Sequence, residues 1–545
     1  MANSHTTTDF PIPADLPHFW QWDKLHFPRP LTPLTEEIFM PAAGEGFCTA
    51  MEEYACPFAF QTLVINHFGY SALTPVDTGS ETPEERLARH QEILSQLLPR
   101  MGELWEQEWL PSILPGLEKA RATDYAALND EQLLDTLDEM RGGLLERWLV
   151  HGRINFVTVS ASWFADFYDE TFEPEDSTEP YQVLQGFPTL SVDAGRGLWQ
   201  LSRIIKHSAT LKELFETLEL SELQLQLQRS DEGRAFLSDF QAYLDEFGWR
   251  SDGFELADPT WREHPVIPLN TLHGYIYLDD DADPEVRFQQ AVQRRETLLA
   301  QARQRLVGEP DKLARFNELY EMARHYLPIT ENHNYYIDQI GDAVMRLPIL
   351  EIGRRLVRRG ALAEEHDVFL LYLADIQQAF SGTNQQTLVA QRRADLDAWS
   401  RVVPPAAIGE PPPESDDPFV QAITKMYGMP PEPSQDPDVI TGIGASPGTV
   451  QGKAKVVRDL SEASKIDPGD IMVCEMTMPP WTPLFSTVSA LVADTGGALS
   501  HCAIVSREYR LPCVVGTVVG TSVIKDGMLL TVDGSKGIVR IDSRV

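Results

Sequence analysis

The chain has 545 residues, of which 43% are hydrophobic and 23% charged, and its formal net charge is −37. That length holds two to four domains with ample core. The acidity excludes nucleic acid and anionic membrane as partners, since both need a basic face, and serves first as a solubility feature. Five cysteines (Cys48, Cys56, Cys474, Cys502 and Cys513) include no CxxC pair and no zinc-ligand spacing. They predict free thiols in a reducing cytoplasm and no metal site. The N-terminal residues lack the basic start and apolar core of a signal peptide, and no apolar run reaches the ~18 residues of a membrane span. No repeat of fixed period is present.

In chain order, residues 10–40 mix aromatics with proline, as in Phe19-Trp20-Gln21-Trp22 and Pro28-Arg29-Pro30-Leu31-Thr32-Pro33. Proline at this density predicts an extended, packed loop rather than a helix. From about 84 to 400, apolar residues recur at helical spacing behind starts such as Pro83-Glu84-Glu85 and Asn129-Asp130, which predicts a large helical domain. Residues 170–190 and 252–275 read as loops. Residues 403–438 are rich in proline and acids and read as a semi-rigid spacer. From 440 the pattern turns to short β segments around a helix at 500–510. The expected fold is therefore multidomain: a mainly α-helical domain over 1–402, a linker over 403–438, and a compact α/β domain over 439–545.

The chemistry concentrates between Asp494 and Gly516. An apolar run, Val488 to Val492, reads as a buried strand. Gly496 and Gly497 follow, and a helical pattern opens near Ser500 with His501 in its first turn. Glycines let a backbone approach a phosphate, and helix-start amides stabilise negative charge. A neutral imidazole there can take up a phosphoryl group as a nucleophile. A capping turn with an incidental histidine fits the spacing equally well. Cys502 reads as a small apolar residue of that turn.

The longer stretch Thr495-Gly-Gly-Ala-Leu-Ser-His501-Cys-Ala-Ile-Val-Ser-Arg507-Glu508, with Leu511-Pro-Cys-Val-Val-Gly516 behind it, resembles the phosphohistidine signature of the PEP-utilising enzymes. Gly444-Ala-Ser-Pro-Gly448 and Met476-Thr-Met-Pro-Pro-Trp481-Thr482-Pro resemble the opening and middle loop of the same domain. The resemblance implies a swivelling β/β/α domain with His501 as phosphoryl carrier, Gly496 and Gly497 as its phosphate loop, and Thr495, Ser500 and Arg507 around it. Pro28 to Leu34 resembles the opening of the substrate-binding domain of rifampin phosphotransferase, which in that family follows an ATP-grasp domain. Phe247 to Trp261 and Arg324 to Asp338 resemble two elements of its middle domain, with departures. Trp249 stands for a histidine, Thr330 for an arginine and Asn334 for a lysine, and both of the last two changes remove charges that would face phosphate. The phenylphosphate synthase type fits this region better.

The resemblance thus implies the acceptor-binding and carrier subunit of a two-component dikinase. A separate ATP-grasp subunit, carrying ATP and magnesium, would pass the β-phosphoryl of ATP to His501, and a small phenolic hydroxyl would receive it. No cofactor is expected to stay bound to this chain. Glu331 or His333 would serve as base, Arg29, Arg250 and Arg346 as cationic clamps, and Trp20, Trp22, Tyr335 and Tyr336 as aromatic lining. Two alternatives are an alcohol or antibiotic phosphotransferase of the rifampin type with ATP-grasp in trans, and a phosphohistidine relay that is not itself an enzyme.

Overall fold

The computed structural model describes residues 10–13, 16–24, 26–251, 253–411, 415, 417–428 and 431–544, apart from the side chains at 221, 281 and 461. The first nine residues, on which the absence of a signal peptide was read, lie outside that range, as do 412–414, 416, 429 and 430 of the spacer. Among the described residues no helix is long and apolar enough to cross a membrane. The chain forms two compact units: Met1–Phe156 with Gly253–Pro259 and Tyr336–Asp417, and Val157–Asp252 with Thr260–Tyr335 and Pro418–Val545.

In the first unit, helix Pro33–Glu53 packs along helix Asp130–Ile154. The approach is close because the seam is small: a Cβ on Gly46 would lie 2.6 Å from the Leu149 nitrogen, and one on Gly152 would lie 2.8 Å from Ala50 Cβ. The expectation of an extended loop through residue 40 is corrected here. Pro33 sits at the helix start, where its missing N–H has no intrahelical partner to lose, so proline opens this helix rather than preventing it. A four-stranded antiparallel sheet runs in the order Phe58–Ile65, Phe68–Pro75, Trp20–Trp22, Ala407–Ile408. Its apolar face gathers Phe10, Trp20, Ile65, Phe68, Tyr70 and Ala72.

The second unit joins a helical layer to a C-terminal mixed sheet. Its helices include Val157–Phe172, Leu190–His207, Asp231–Phe247, Val266–Tyr275, Pro284–Arg305 and Tyr326–His333. The eight-stranded sheet has the order Val439–Thr441, Ile538–Ser543, Leu529–Asp533, Thr449–Val457, Ile471–Cys474, Ala490–Ala493, Cys513–Val515, Ile443–Ser446. The four strands from Thr449–Val457 to Cys513–Val515 run parallel, and the outer pairings are antiparallel. Both faces of the parallel centre are covered, which is why its strands read as unbroken apolar runs. Met472, Cys474, Leu491 and Ala493 face one core, together with Cys502, Ala503 and Val505 of helix His501–Glu508. Ile471, Val473, Ala490 and Val492 face the other.

Residues expected to form loops or spacer carry elements. Val266–Tyr275 is helical, and Ala407–Ile408 adds an edge to the first unit's sheet. Helix Pro418–Tyr427 buries Phe419 and Ala422, and its Lys425 Nζ donates to Ser162 Oγ (2.9 Å) and pairs with Asp166 (2.5 Å) on helix Val157–Phe172. Proline and acid content reports the solvated parts of 403–438 and hides these short anchored pieces.

Leu491 is fully buried in the sheet core beneath helix His501–Glu508. Leu491→Ala is expected to destabilise the second unit by about 2–5 kcal/mol, the range for buried leucine truncation, read as a lower urea midpoint in equilibrium unfolding.

Candidate phosphohistidine site

Strand Ala490–Ala493 delivers the chain to Asp494, whose carboxylate accepts from Thr517 Oγ1 (2.8 Å) and from the Thr521 amide (3.2 Å). Thr495 Oγ1 donates to the Glu475 carbonyl (3.0 Å). Gly496 has φ +99°, a left-handed value that disfavours any side chain. The Gly497 amide donates to the Met426 carbonyl (2.8 Å) and the Leu499 amide to the Lys425 carbonyl (3.3 Å). A Cβ on Gly497 would clash with the Lys425 carbonyl oxygen and lie 2.8 Å from Gly428 Cα. Gly497 therefore makes room for the 425–428 segment. Ser500 caps the helix that follows: its Oγ accepts from the Ala503 amide (3.4 Å) and donates to the Gly497 carbonyl (2.8 Å).

His501 opens that helix with its side chain 13% exposed. Its Nδ1 lies 3.3 Å from Glu331 Oε1, and its Nε2 lies 3.5 Å from Thr482 Oγ1. An ionised carboxylate only accepts, so the network assigns the proton to Nδ1 and leaves Nε2 with its lone pair. Glu331, 2% exposed, uses its other oxygen to accept from Ser191 Oγ (2.8 Å). Burial pushes its carboxyl up, but His501, by charge and hydrogen bond, with Ser191 and His333, outweighs it and holds the group below its ordinary value. The next residue, Asn332, accepts from the Leu190 amide (2.9 Å), so this turn of helix Tyr326–His333 is fastened to the start of helix Leu190–His207. Acceptors at a helix start are favoured by its unsatisfied amides and its dipole.

Among the expected site residues, the structure brings together His501 and Glu331. His333 donates from Nδ1 to the Ile329 carbonyl (3.0 Å). Arg250 is 2% exposed and donates to the Phe247 carbonyl (3.1 Å). Its guanidinium faces the rings of Phe247, Trp261 and Tyr335 at 5.5–5.6 Å. Burial lowers its pKa, against the opposing charge of Glu331 and two tyrosines. Tyr335 donates its hydroxyl to the Glu246 carbonyl (2.6 Å). Arg507 donates to the Ala445 carbonyl (2.9 Å) and lies over Tyr181, so its described contacts brace the sheet edge. Thr495 and Ser500, expected as hydroxyl partners of the imidazole, spend their hydroxyls on backbone carbonyls, and Thr482 takes that place. Two of the three departures in the middle domain meet each other: Asn334 Nδ2 donates to the Thr330 carbonyl (2.7 Å).

Arg29, Arg346, Trp20, Trp22 and Tyr336 belong to the first unit. There Arg29 pairs with Asp258 (2.8 Å), and Arg346 donates to the Leu256 carbonyl with its guanidinium over Phe369. Trp20 and Trp22 donate to the Pro17 and Phe27 carbonyls. Sequence reasoning did not single out Ser191 or Thr482. Thr482 stood inside the middle-loop motif, whereas nothing local marks Ser191, one of many small residues at a helix start.

Residues 466–537 match the family described as PEP-utilising enzyme, mobile domain. The chain carries a PEP-utilising mobile domain. Upstream of the mobile domain, residues 150–331 match the family described as rifampicin phosphotransferase fourth domain. Relatives include the chondramide synthase CmdD of Chondromyces crocatus, 31% identical over 98% of this chain and 14% of that protein. They also include the uncharacterized phosphotransferase YvkC of Bacillus subtilis, 28% identical over 97% of this chain and 63% of that protein. A rifampicin phosphotransferase of Streptomyces sviceus is 27% identical over 79% of this chain and 50% of that protein. The chain thus spans less than two thirds of the length of each of these relatives.

One carboxyl of the mobile domain makes the second unit pH-sensitive. Glu508 accepts from the Gly186 amide (3.0 Å). Burial pushes its pKa from 4.5 up to about 7, against the Gly186 hydrogen bond and the charges of Arg507 and Arg295, with Glu331 adding to the rise. A folded-state pKa above the unfolded value means that the folded protein binds the proton more tightly. Its contribution is fully present below pH 4.5 and is lost as pH rises toward about 7, a span of at most about 3 kcal/mol. Glu508→Gln is expected to be more stable than wild type at pH 8 and to lose that advantage by pH 5, measured by urea unfolding at both values.

Proposed function

We propose that this chain is the acceptor-binding and phosphoryl-carrying part of a dikinase-type phosphotransferase. An ATP-grasp module on a separate subunit, with ATP and magnesium, supplies the β-phosphoryl. ATP and water give AMP, phosphate and phospho-His501, and the hydroxyl of a small acceptor, in our reading a phenol, then takes the phosphoryl group. The observation that carries this reading is the division of labour at the imidazole, with Nδ1 on Glu331 and Nε2 toward Thr482.

The contacts suit the second step. With a phosphoryl group on Nε2, the Glu331 carboxylate keeps the proton on Nδ1, so cleavage of the P–N bond releases a neutral imidazole rather than an imidazolate. Glu331 is a poor base for the acceptor: both its oxygens are engaged and it is held ionised. We assign it the role of holding the carrier's proton, with the acceptor's own proton released to water. Thr482 Oγ1, beside Nε2, is placed to donate to a phosphoryl oxygen. A phenol, with a pKa near ~10, gives up its proton more readily than an aliphatic alcohol. The match of residues 150–331 to the rifampicin phosphotransferase fourth domain favours a second reading, in which the acceptor is an antibiotic or other alcohol.

The test is incorporation of label from β-³²P-ATP, with an ATP-grasp protein encoded beside this chain supplied or withheld. Label that needs that protein, is absent from His501→Ala, and is discharged by phenol is the expected result. Label discharged only by alcohols establishes the second reading. Label that no hydroxyl compound discharges leaves a phosphohistidine relay, and no label at all overturns the proposal.

A further inference from the structure

The orientation of His501 traces back through two hydrogen bonds to a serine that no motif marks. Ser191 Oγ donates to Glu331 Oε2 (2.8 Å), and Glu331 Oε1 lies 3.3 Å from His501 Nδ1. One carboxylate thus spends an oxygen on each neighbour, and Ser191 is as buried as the carboxylate it meets. Ser191 is the second residue of helix Leu190–His207, whose cap Thr189 accepts from the Val192 amide (3.4 Å). The cap fixes the backbone that presents the hydroxyl. A serine deeper in a helix commonly turns back to the carbonyl four residues earlier. At the second position that carbonyl, on Phe187, precedes the helix, and the hydroxyl reaches across to Glu331 instead.

The start of this helix is tied to helix Tyr326–His333 twice, and the two ties differ in kind. The Leu190 amide donates to Asn332 Oδ1 (2.9 Å), a bond between neutral groups. The Ser191 hydroxyl donates to the carboxylate that meets His501, so it bears on which group holds a proton. A hydrogen bond given to a carboxylate favours its ionised form. Burial pushes the Glu331 carboxyl up, and His501, then Ser191 and His333, hold it below its ordinary value. Arg250, Tyr326, Glu508 and Tyr509 also interact with its charge.

We propose that Ser191 is a positioning residue for the carrier: its hydroxyl keeps Glu331 ionised and turned toward His501. It thereby keeps the imidazole proton on Nδ1 and a lone pair on Nε2. The importance of that lone pair rests on the function proposed above, in which His501 takes up a phosphoryl group. Without the hydroxyl one buried carboxylate oxygen is left bare, and the Glu331–His501 pair takes up a proton more readily. The two groups titrate as a pair, so the added proton belongs to both. In one form of the protonated pair the carboxyl donates to Nδ1 and the imidazole proton sits on Nε2. In the other the imidazole is an imidazolium. Nε2 carries a hydrogen in both, and attack on phosphorus is blocked.

The test is a pH titration of the full chain by nitrogen NMR, with ¹⁵N in the histidine rings. The His501 signals are identified by their loss in His501→Ala, and the titration gives the midpoint at which Nε2 gains a hydrogen. Ser191→Ala is expected to raise that midpoint by about one pH unit, a tenfold gain in proton affinity. Ser191→Cys, whose thiol is a weak donor, should shift it the same way, and Ser191→Thr, which keeps the hydroxyl, should restore it. With Glu331→Gln already in place, Ser191→Ala should produce no further shift, because the serine acts through that carboxylate. Asn332→Ala removes the neutral tie: it should lower the urea midpoint of unfolding and leave the histidine midpoint where it was. No shift in Ser191→Ala and Ser191→Cys, an equal shift in Asn332→Ala, or a shift that persists with Glu331→Gln would each overturn the proposal. Uptake of label from β-³²P-ATP, with the ATP-grasp protein supplied, separates this proposal from the function. The expected shift in a chain that never takes up label leaves Ser191 in its role and sinks the carrier reading. Label on His501 with an unmoved midpoint in Ser191→Ala does the reverse.

Discussion

The buried carboxylate of Glu331 sets the terms for the rest of the site. A charge taken out of water costs several kcal/mol unless it is paired and hydrogen-bonded, and Glu331 is nearly inaccessible. Its charge is met by the imidazole of His501 and the hydroxyl of Ser191, with Arg250 and His333 contributing at longer range. The placement of helix His501–Glu508 against helix Tyr326–His333 is thus an electrostatic requirement as well as a packing outcome. Any motion that takes His501 away must return water or another cation to that carboxylate.

The backbone around His501 answers a second constraint. Glycine at 496 and 497 brings the 425–428 segment against the turn, so that carbonyls from the end of helix Pro418–Tyr427 occupy the turn's amides. Lys425 anchors that helix to Ser162 and Asp166 in turn. The turn is therefore held by the segment just before the sheet, whose carbonyls satisfy the Gly497 and Leu499 amides. The buried end of the helix is less complete: Glu508 pays a desolvation penalty that one amide only partly offsets. Local stability is lower beside the candidate site, as functional sites commonly show.

Much of this was legible in the residues themselves. The run from Thr495 to Gly516 is contiguous, and strand, glycine turn and helix start are all local features, so His501 and the mobile domain could be read directly. Short β segments after 440 announced the C-terminal sheet, though not its parallel centre, and helical periodicity from 84 to 400 announced the helical region. Composition misjudged the proline-rich stretches, because Pro33 begins a helix and part of the 403–438 spacer is anchored by a few buried side chains. Proline content reports what a segment cannot do internally, not what it packs against.

The sequence by itself singled out His501 and the kind of domain that bears it, since both depend on one contiguous stretch of residues. Tertiary structure alone decided what each nitrogen of His501 faces, because that rests on Glu331 and Thr482, 170 and 19 residues away in the chain. It also separated the expected clamps, leaving Arg29 and Arg346 with partners in the first unit and drawing Arg250 into an aromatic cage in the second. A charge or hydroxyl acquires its role from what burial leaves facing it. That is fixed by long-range packing, which no local pattern records.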